Sequence, residues 1–183
     1  MLLGFSLEAA AAVAVLHILN HAAFKAALFM SAGIVDHETG TRDIRRLGGL
    51  AKVMPVTATL ATIAAGAMAG LPPLGGFISK ELMLGETLEV GLFGLPWLVP
   101  VVATIAATLS VAYSLRFALF LFFGKARDPE PHARAHDPGV GMWWPAALLV
   151  AIAVLLGLIP GLIAGSLVAA VSAAVVGGEA PYI

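Results

Sequence analysis

The sequence contains no cysteine and few charged residues. Without cysteine, the 183-residue chain can form neither a disulfide framework nor a thiolate metal site. Charged residues make up 11% of the chain, whereas a soluble domain carries about a quarter. The formal net charge of -1 excludes the strongly basic balance of a nucleic-acid-binding protein. The low content of charged residues indicates a protein that lies in a lipid bilayer and not a soluble one.

Apolar residues are abundant instead. They make up 60% of the chain, and the mean hydropathy is +0.98. A bilayer core of about 30 Å needs roughly 20 apolar residues in a helix. We therefore predict an all-α integral membrane protein with a single domain over 1–183, built as a bundle of about four to five transmembrane helices. The predicted helices cover 7–35, 54–71 together with 77–90, 96–123, 142–159 and 161–176.

The second apolar region is interrupted by residues that disfavour a continuous helix. This predicted break contains Pro72, Pro73, Gly75 and Gly76. Lysine and arginine cluster in two polar segments, 36–52 and 124–141, which the positive-inside rule places in the cytoplasm. Two segments on one side require an even number of crossings between them. One discontinuous helix over 54–90, followed by the span 96–123, meets this requirement, and so would a re-entrant half-helix.

The first predicted span carries a stripe of titratable side chains. His17, His21 and Lys25 are spaced i, i+4, i+8, which places them within roughly 80° of one another and over a rise of about 12 Å. Ionisable groups at this depth are costly unless they face protein or water. Imidazole can accept a proton at one nitrogen and donate one at the other. The stripe is typical of a proton relay; the alternative is that it packs against polar groups and never titrates.

Lys80 follows the predicted break directly. A break inside the membrane frees backbone polar groups, which then need protein or water as partners. Discontinuous helices in transporters place such backbone at a hydrated site near the midplane. We therefore predict that Lys80 binds and releases protons. The alternative is that Lys80 snorkels to the interface with Glu81 as a surface partner.

The remaining motifs indicate no enzyme. The sequence has no glycine-rich phosphate loop beside a strand, no cysteine nucleophile and no carboxylate pair within a span. His132 and His136 have i, i+4 spacing beside Asp137, but they lie in a segment flanked by proline and glycine. We predict neither a metal site nor an organic cofactor, and no nucleic-acid partner.

The block from His17 to Leu84 resembles the antiporter-like membrane subunits shared by Mrp-type antiporters, respiratory complex I and membrane-bound hydrogenases. The segment DHETGTRD, residues 36–43, is most similar to the large A subunit of Mrp sodium/proton antiporters. The resemblance implies a fold of two inverted repeats, each with one discontinuous helix, of which this chain would supply most of the second. It also implies that the His17 stripe belongs to a central hydrophilic axis and that Lys80 is the lysine of the second broken helix.

The resemblance further implies a proton-translocating subunit of a multisubunit sodium/proton antiporter in a bacterial plasma membrane. Its partners would be other membrane subunits, protons, sodium ions and the lipid bilayer. One alternative is a proton-pumping subunit of a complex I-like or membrane-bound hydrogenase complex. A second is a structural or assembly subunit that transports nothing. The sequence lacks the first repeat and the long C-terminal extension of the A subunit, so we expect a fragment or a split subunit.

Overall fold

Helices account for most of residues 8–176, the part of the chain that the computed structural model describes. No strand forms within this range. The α-helices are α1 (Glu8–Thr39), α2 (Pro55–Ala69), α3 (Gly75–Leu88), α4 (Leu98–Phe122), α5 (Pro129–Arg134), α6 (Val140–Leu158) and α7 (Pro160–Val176). A 3-10 turn, Leu50–Lys52, precedes α2. Residue 7, where we predicted the first span to begin, lies outside the described residues.

The described helices confirm the predicted all-α membrane class. Helices α1, α4 and α6 are long and apolar enough to cross a membrane, and α2 and α7 are shorter apolar helices. Helix α1 lies at the centre of the bundle, in contact with α2, α3, α6 and α7. Its buried face is rich in small residues, including Ala10, Ala12 and Ala27. Small side chains let neighbouring membrane helices approach closely.

The discontinuous helix consists of α2 and α3, with residues 70–74 between them. Helix α2 begins at Pro55, where a missing N–H costs nothing, and stops at Gly70, whose φ of 87° favours glycine. Pro72 and Pro73 lie within this break. Gly75 and Gly76 do not: they form the first turn of α3, which begins two residues before the predicted start.

The end of α1 and the presence of α5 differ from the sequence-based prediction. Helix α1 continues to Thr39 instead of ending at Val35, and in its last turn the Thr39 hydroxyl donates to the Val35 carbonyl at 2.6 Å. Gly40, with a φ of 68°, then ends the helix. The segment predicted as loop between α4 and α6 contains α5, whose first turn is capped by Asp128, which accepts from the Glu130 N–H at 3.2 Å.

The two basic segments meet at one end of the bundle, which we call the basic face (residues 36–52 and 124–141). Arg46 Nη2 lies 2.6 Å from Asp128 Oδ2, which joins the segments by an ion pair. The hydrogen bond from Arg46 lowers the pKa of Asp128, so the pair stays ionised at neutral pH. Both basic segments therefore lie at the same end of the bundle.

Asp137, from the second basic segment, caps the start of α2. Its carboxylate accepts from the N–H groups of Val56 at 2.8 Å and Thr57 at 2.9 Å, and from the Thr57 hydroxyl at 2.8 Å. These N–H groups have no partner within their own helix, so a residue distant in sequence completes the helix. Its neighbour His136 contacts Glu38 at 2.6 Å, at the end of α1.

We expect Asp137→Ala to lower the free energy of unfolding by about 1–2 kcal/mol, because it removes the cap of α2. Asp137→Asn keeps one acceptor oxygen and should lose less. Thermal unfolding of the purified protein in detergent would compare the two variants with the unmodified protein. Equal unfolding temperatures for all three would contradict the capping role.

Candidate functional site

The titratable stripe on α1 meets the broken helix at His17. The Nδ1 atom of His17 lies 3.1 Å from the hydroxyl of Ser79, a fully buried residue one turn into α3. His17 itself is half-buried, and it lies within electrostatic range of both His21 and Lys80. The contact with Ser79 connects the stripe to the helix that carries Lys80.

The other two members of the stripe lie on a more open side of the bundle. The His21 ring is exposed and its centroid lies 6.0 Å from that of His17. The Lys25 ammonium lies 5.2 Å from the ring centroid of Tyr113, on α4, and 5.7 Å from that of Phe29. The structure thus keeps the three groups on one face of α1. Of the three, His17 alone forms a hydrogen bond to another helix within the described part of the chain.

Lys80 joins the two halves of the broken helix. Its Nζ donates to the Met68 carbonyl at 2.5 Å, in the last turn of α2, and to the Ser110 hydroxyl at 3.1 Å, on α4. The C-terminal end of a helix carries partial negative charge, which favours a cation there. In this structure Lys80 therefore points into the break and does not pair with Glu81, which is exposed on the next position of α3.

The break depends on close contacts that glycine alone permits. A Cβ atom on Gly76 would overlap the carbonyl oxygen of Ala67, which brings α3 against the end of α2. A Cβ on Gly157, in α6, would overlap the backbone of Pro73. Gly75 is similarly close to Asn20 of α1. The backbones of α2 and α6 therefore lie directly against the break, and α1 reaches it through the Asn20 side chain.

Asn20 lies fully buried between the stripe and the break. Its amide donates to the Leu16 carbonyl at 3.2 Å. Its Oδ1 atom faces Gly75 and has no hydrogen-bond partner within residues 8–176. The first N–H groups of α3 have no acceptor within their own helix. The Asn20 Oδ1 atom is an acceptor and these N–H groups are donors, so the two are complementary.

Sequence reasoning missed four residues of this site: Asn20, Ser79, Ser110 and Gly157. Asn20 was visible as a polar residue beside His21 in an apolar span. Ser79 precedes Lys80 directly, but a lone serine carries no pattern. Ser110 belongs to the site only because α4 packs beside the break, and no sequence signal indicates that pairing.

Hydroxyl and imidazole groups in this arrangement can carry protons. A serine hydroxyl donates one hydrogen bond and accepts others, and a neutral imidazole does both. Ser79 therefore links His17 to α3, and Ser110 solvates Lys80 from α4. Within residues 8–176 no cluster of three metal-ligating side chains forms, and the site consists of imidazole, amine and hydroxyl groups, which can donate and accept hydrogen bonds.

These features define a polytopic helical membrane protein with a discontinuous helix and a lysine bound at the break. A family model described as "NADH:quinone oxidoreductase/Mrp antiporter, TM" matches residues 1–110. The chain belongs to this family, which confirms the predicted resemblance.

Curated antiporter subunits are similar to this chain over most of its length. The chain is 52% identical over 151 residues to a probable K(+)/H(+) antiporter A/B subunit of Rhizobium meliloti, covering 82% of this chain and 15% of the relative. It is 45% identical over 151 residues to the Na(+)/H(+) antiporter A subunit of Bacillus subtilis, covering 79% of this chain and 19% of the relative. The chain therefore spans less than a fifth of these relatives.

Two solved structures share the fold. A chain of the Mrp complex from Dietzia sp. superposes with a TM-score of 0.76 at 38% identity, covering 96% of this chain and 19% of that chain. A chain of an archaeal membrane-bound sulfane sulfur reductase gives a TM-score of 0.76 at 28% identity, covering 85% and 25%. The bundle described here is thus a fold found in both antiporter and respiratory complexes.

We expect Gly76→Ala to destabilise the protein by about 2 kcal/mol or more, because the added methyl group meets backbone that cannot rotate away. Gly85→Ala is the matched control: it lies in the same helix, and a Cβ there meets nothing within 4 Å. Helix propensity should make this second variant neutral or slightly more stable. Thermal unfolding in detergent measures both, and equal losses would contradict the close approach at Gly76.

Proposed function

We propose that this chain is part of a proton-translocating membrane subunit of a multisubunit monovalent cation/proton antiporter, with sodium as the cation. The supporting observation is the position of Lys80, bound to the Met68 carbonyl and to Ser110 at the break. Protons would be passed among His17, His21, Lys25 and Lys80. The partners would be other membrane subunits in a bacterial plasma membrane.

The relay chemistry follows from the contacts of Lys80. When protonated, its ammonium satisfies the Met68 carbonyl, and charge-assisted hydrogen bonds are the stronger ones. When deprotonated, Lys80 binds this carbonyl less strongly. The protonation state of Lys80 is therefore coupled to the contact between α2, α3 and α4, and neighbouring titratable groups respond to its charge.

A second candidate is a proton-pumping subunit of a redox-driven complex. It is favoured by the similarity to a chain of the sulfane sulfur reductase complex. The same residues would move protons in both cases, but the energy would come from electron transfer elsewhere in the assembly. Genes for dehydrogenase or iron–sulfur subunits beside this one would favour the second candidate over the first.

The proposed function predicts that Lys80→Ala abolishes cation-dependent proton exchange. The chain would be produced together with its neighbouring subunits and assayed in everted vesicles that lack their own sodium/proton antiporters. Addition of sodium should dissipate the pH gradient for the unmodified protein and not for Lys80→Ala. Addition of potassium in parallel tests which cation is exchanged.

Lys52→Ala is the matched control, because Lys52 is exposed at the basic face and should leave exchange unchanged. Membrane abundance must be equal for all variants. If Lys80→Ala exchanges as fast as the unmodified protein, Lys80 does not carry the proton. If Lys80→Ala is lost from the membrane while Lys52→Ala is not, a structural role explains Lys80 better.

The contact between His17 and Ser79 predicts a smaller, selective effect. We expect Ser79→Ala to slow exchange roughly fivefold, the equivalent of one hydrogen bond of about 1 kcal/mol. Ser172→Ala is the control, since Ser172 is also fully buried but its hydroxyl, among residues 8–176, bonds to the Ala169 carbonyl of its own helix alone. The exchange rates of the two variants are compared at equal membrane abundance. Equal slowing in both variants would argue against a role for Ser79 in proton transfer.

A further inference from the structure

Two polar side chains of α1 contact α3 at successive helical turns. Asn20 faces Gly75 in the first turn of α3. His17, one turn earlier on α1, lies 3.1 Å from the hydroxyl of Ser79, one turn later on α3. The contacts run in opposite directions along the two chains, so α1 and α3 are antiparallel. The polar side chains of α1 therefore meet α3 both at its start and at the turn that precedes Lys80.

The contact at Gly75 is direct. A Cβ atom on Gly75 would overlap Oδ1 of Asn20, so this oxygen touches the glycine backbone. Asn20 is fully buried, and its Oδ1 atom has no hydrogen-bond donor within residues 8–176. A buried acceptor without a partner is costly. The start of a helix carries unpaired N–H groups and partial positive charge, so this oxygen attracts the first turn of α3 towards α1.

The break makes the position of α3 depend on contacts of this kind. Residues 70–74 separate α3 from α2, so the helical hydrogen-bond pattern does not continue from one helix into the other. On its other sides the first turn of α3 meets backbone, at the Ala67 carbonyl of α2 and at Gly157 of α6. On the α1 side it meets the polar side chain of Asn20.

We propose that Asn20 is a positioning residue, whose buried side chain holds the first turn of α3 at a fixed place against α1. Ser79 and Lys80 follow one turn later and move with the start of the helix, because an α-helix is a continuous hydrogen-bonded unit. Asn20 thereby sets the distance between His17 and Ser79. It also sets the place of Lys80 at the break. The effect on proton exchange rests on the proposed function, whereas the position of α3 does not.

The position of α3 can be measured by disulfide formation, because the sequence contains no cysteine of its own. Val13 of α1 and Met83 of α3 pack in one cluster, and Val13→Cys with Met83→Cys is the test pair. Ala27 of α1 and Ala64 of α2 pack in another cluster, and the corresponding cysteine pair is the control. A disulfide requires Cα atoms less than about 7 Å apart, so its rate of formation is sensitive to small shifts.

Both pairs would be placed in the complete assembly, in everted vesicles, and oxidised with copper phenanthroline. Mass spectrometry of the joined tryptic peptides measures each rate. We expect Asn20→Ala to slow the α1–α3 disulfide at least roughly threefold and to leave the α1–α2 disulfide unchanged. Asn20→Asp keeps an oxygen at the positive end of α3, and should form the α1–α3 disulfide as fast as the protein with Asn20.

Three results would overturn the proposal. The first is an unchanged α1–α3 rate in Asn20→Ala. The second is equal slowing of both pairs, which indicates a bundle that has loosened as a whole. The third is equal slowing by Asn20→Asp and Asn20→Ala, which indicates that the acceptor oxygen is not the group that holds α3.

A second variant serves if Asn20→Ala does not accumulate in the membrane. The hydroxyl of Asn20→Ser can bond to the Leu16 carbonyl of its own helix and is too short to reach Gly75 as the amide does. This variant therefore removes the contact with α3 without leaving a buried polar group unpaired. The same disulfide rates are expected for it, and the same results would contradict the proposal.

Exchange assays test whether the position of α3 matters for transport. Asn20→Ala should slow exchange at least roughly fivefold at equal membrane abundance, and adding Ser79→Ala should slow it no further, because the contact with His17 is already lost. Unchanged exchange in Asn20→Ala, or a further fivefold loss in the double variant, would overturn the role of Asn20 in the relay. The disulfide rates do not depend on transport and Lys80→Ala is judged by exchange alone, so either inference can fail while the other stands.

Discussion

The bond between the Lys80 ammonium and the Met68 carbonyl is the interaction on which the site depends. A helix that stops inside a membrane leaves carbonyl groups without partners, and lipid offers none. Lys80 supplies both a donor and a positive charge at the negative end of the α2 dipole. The group that makes the interruption tolerable is thus a titratable nitrogen held among α2, α3 and α4. The side chain that stabilises the break is therefore also one that is able to bind and release a proton.

Helix α2 is completed at both ends by side chains from elsewhere in the chain. Asp137 caps its first N–H groups from the basic face, and Lys80 binds a carbonyl of its last turn. A helix of 15 residues is short for a bilayer crossing, so these end contacts position it as much as its apolar faces do. The contacts at both ends of α2 consequently fix the position of the break relative to the basic face.

Small residues bring the polar groups together. Glycine at 76 and 157 allows backbone contact around the break, and the hydroxyls of Ser79 and Ser110 each bond to a titratable side chain of another helix, His17 and Lys80 respectively. Larger apolar side chains at these positions would separate the helices and isolate each ionisable group in lipid. Close packing of the helices and contact between their polar groups therefore require the same small residues.

The membrane class, the α1 stripe and the interrupted second span were determined by the sequence alone, because hydropathy, a four-residue spacing and consecutive prolines are local patterns. The family was also readable from one contiguous block. The partners of those residues were decided only by tertiary structure. Ser79 faces His17 because α3 packs on α1, and Ser110 reaches Lys80 because α4 lies beside the break; neither serine carries a local signal. Gly75 and Gly76 looked like helix breakers but begin α3, since what they provide is close approach to neighbouring helices, which a sequence pattern does not contain.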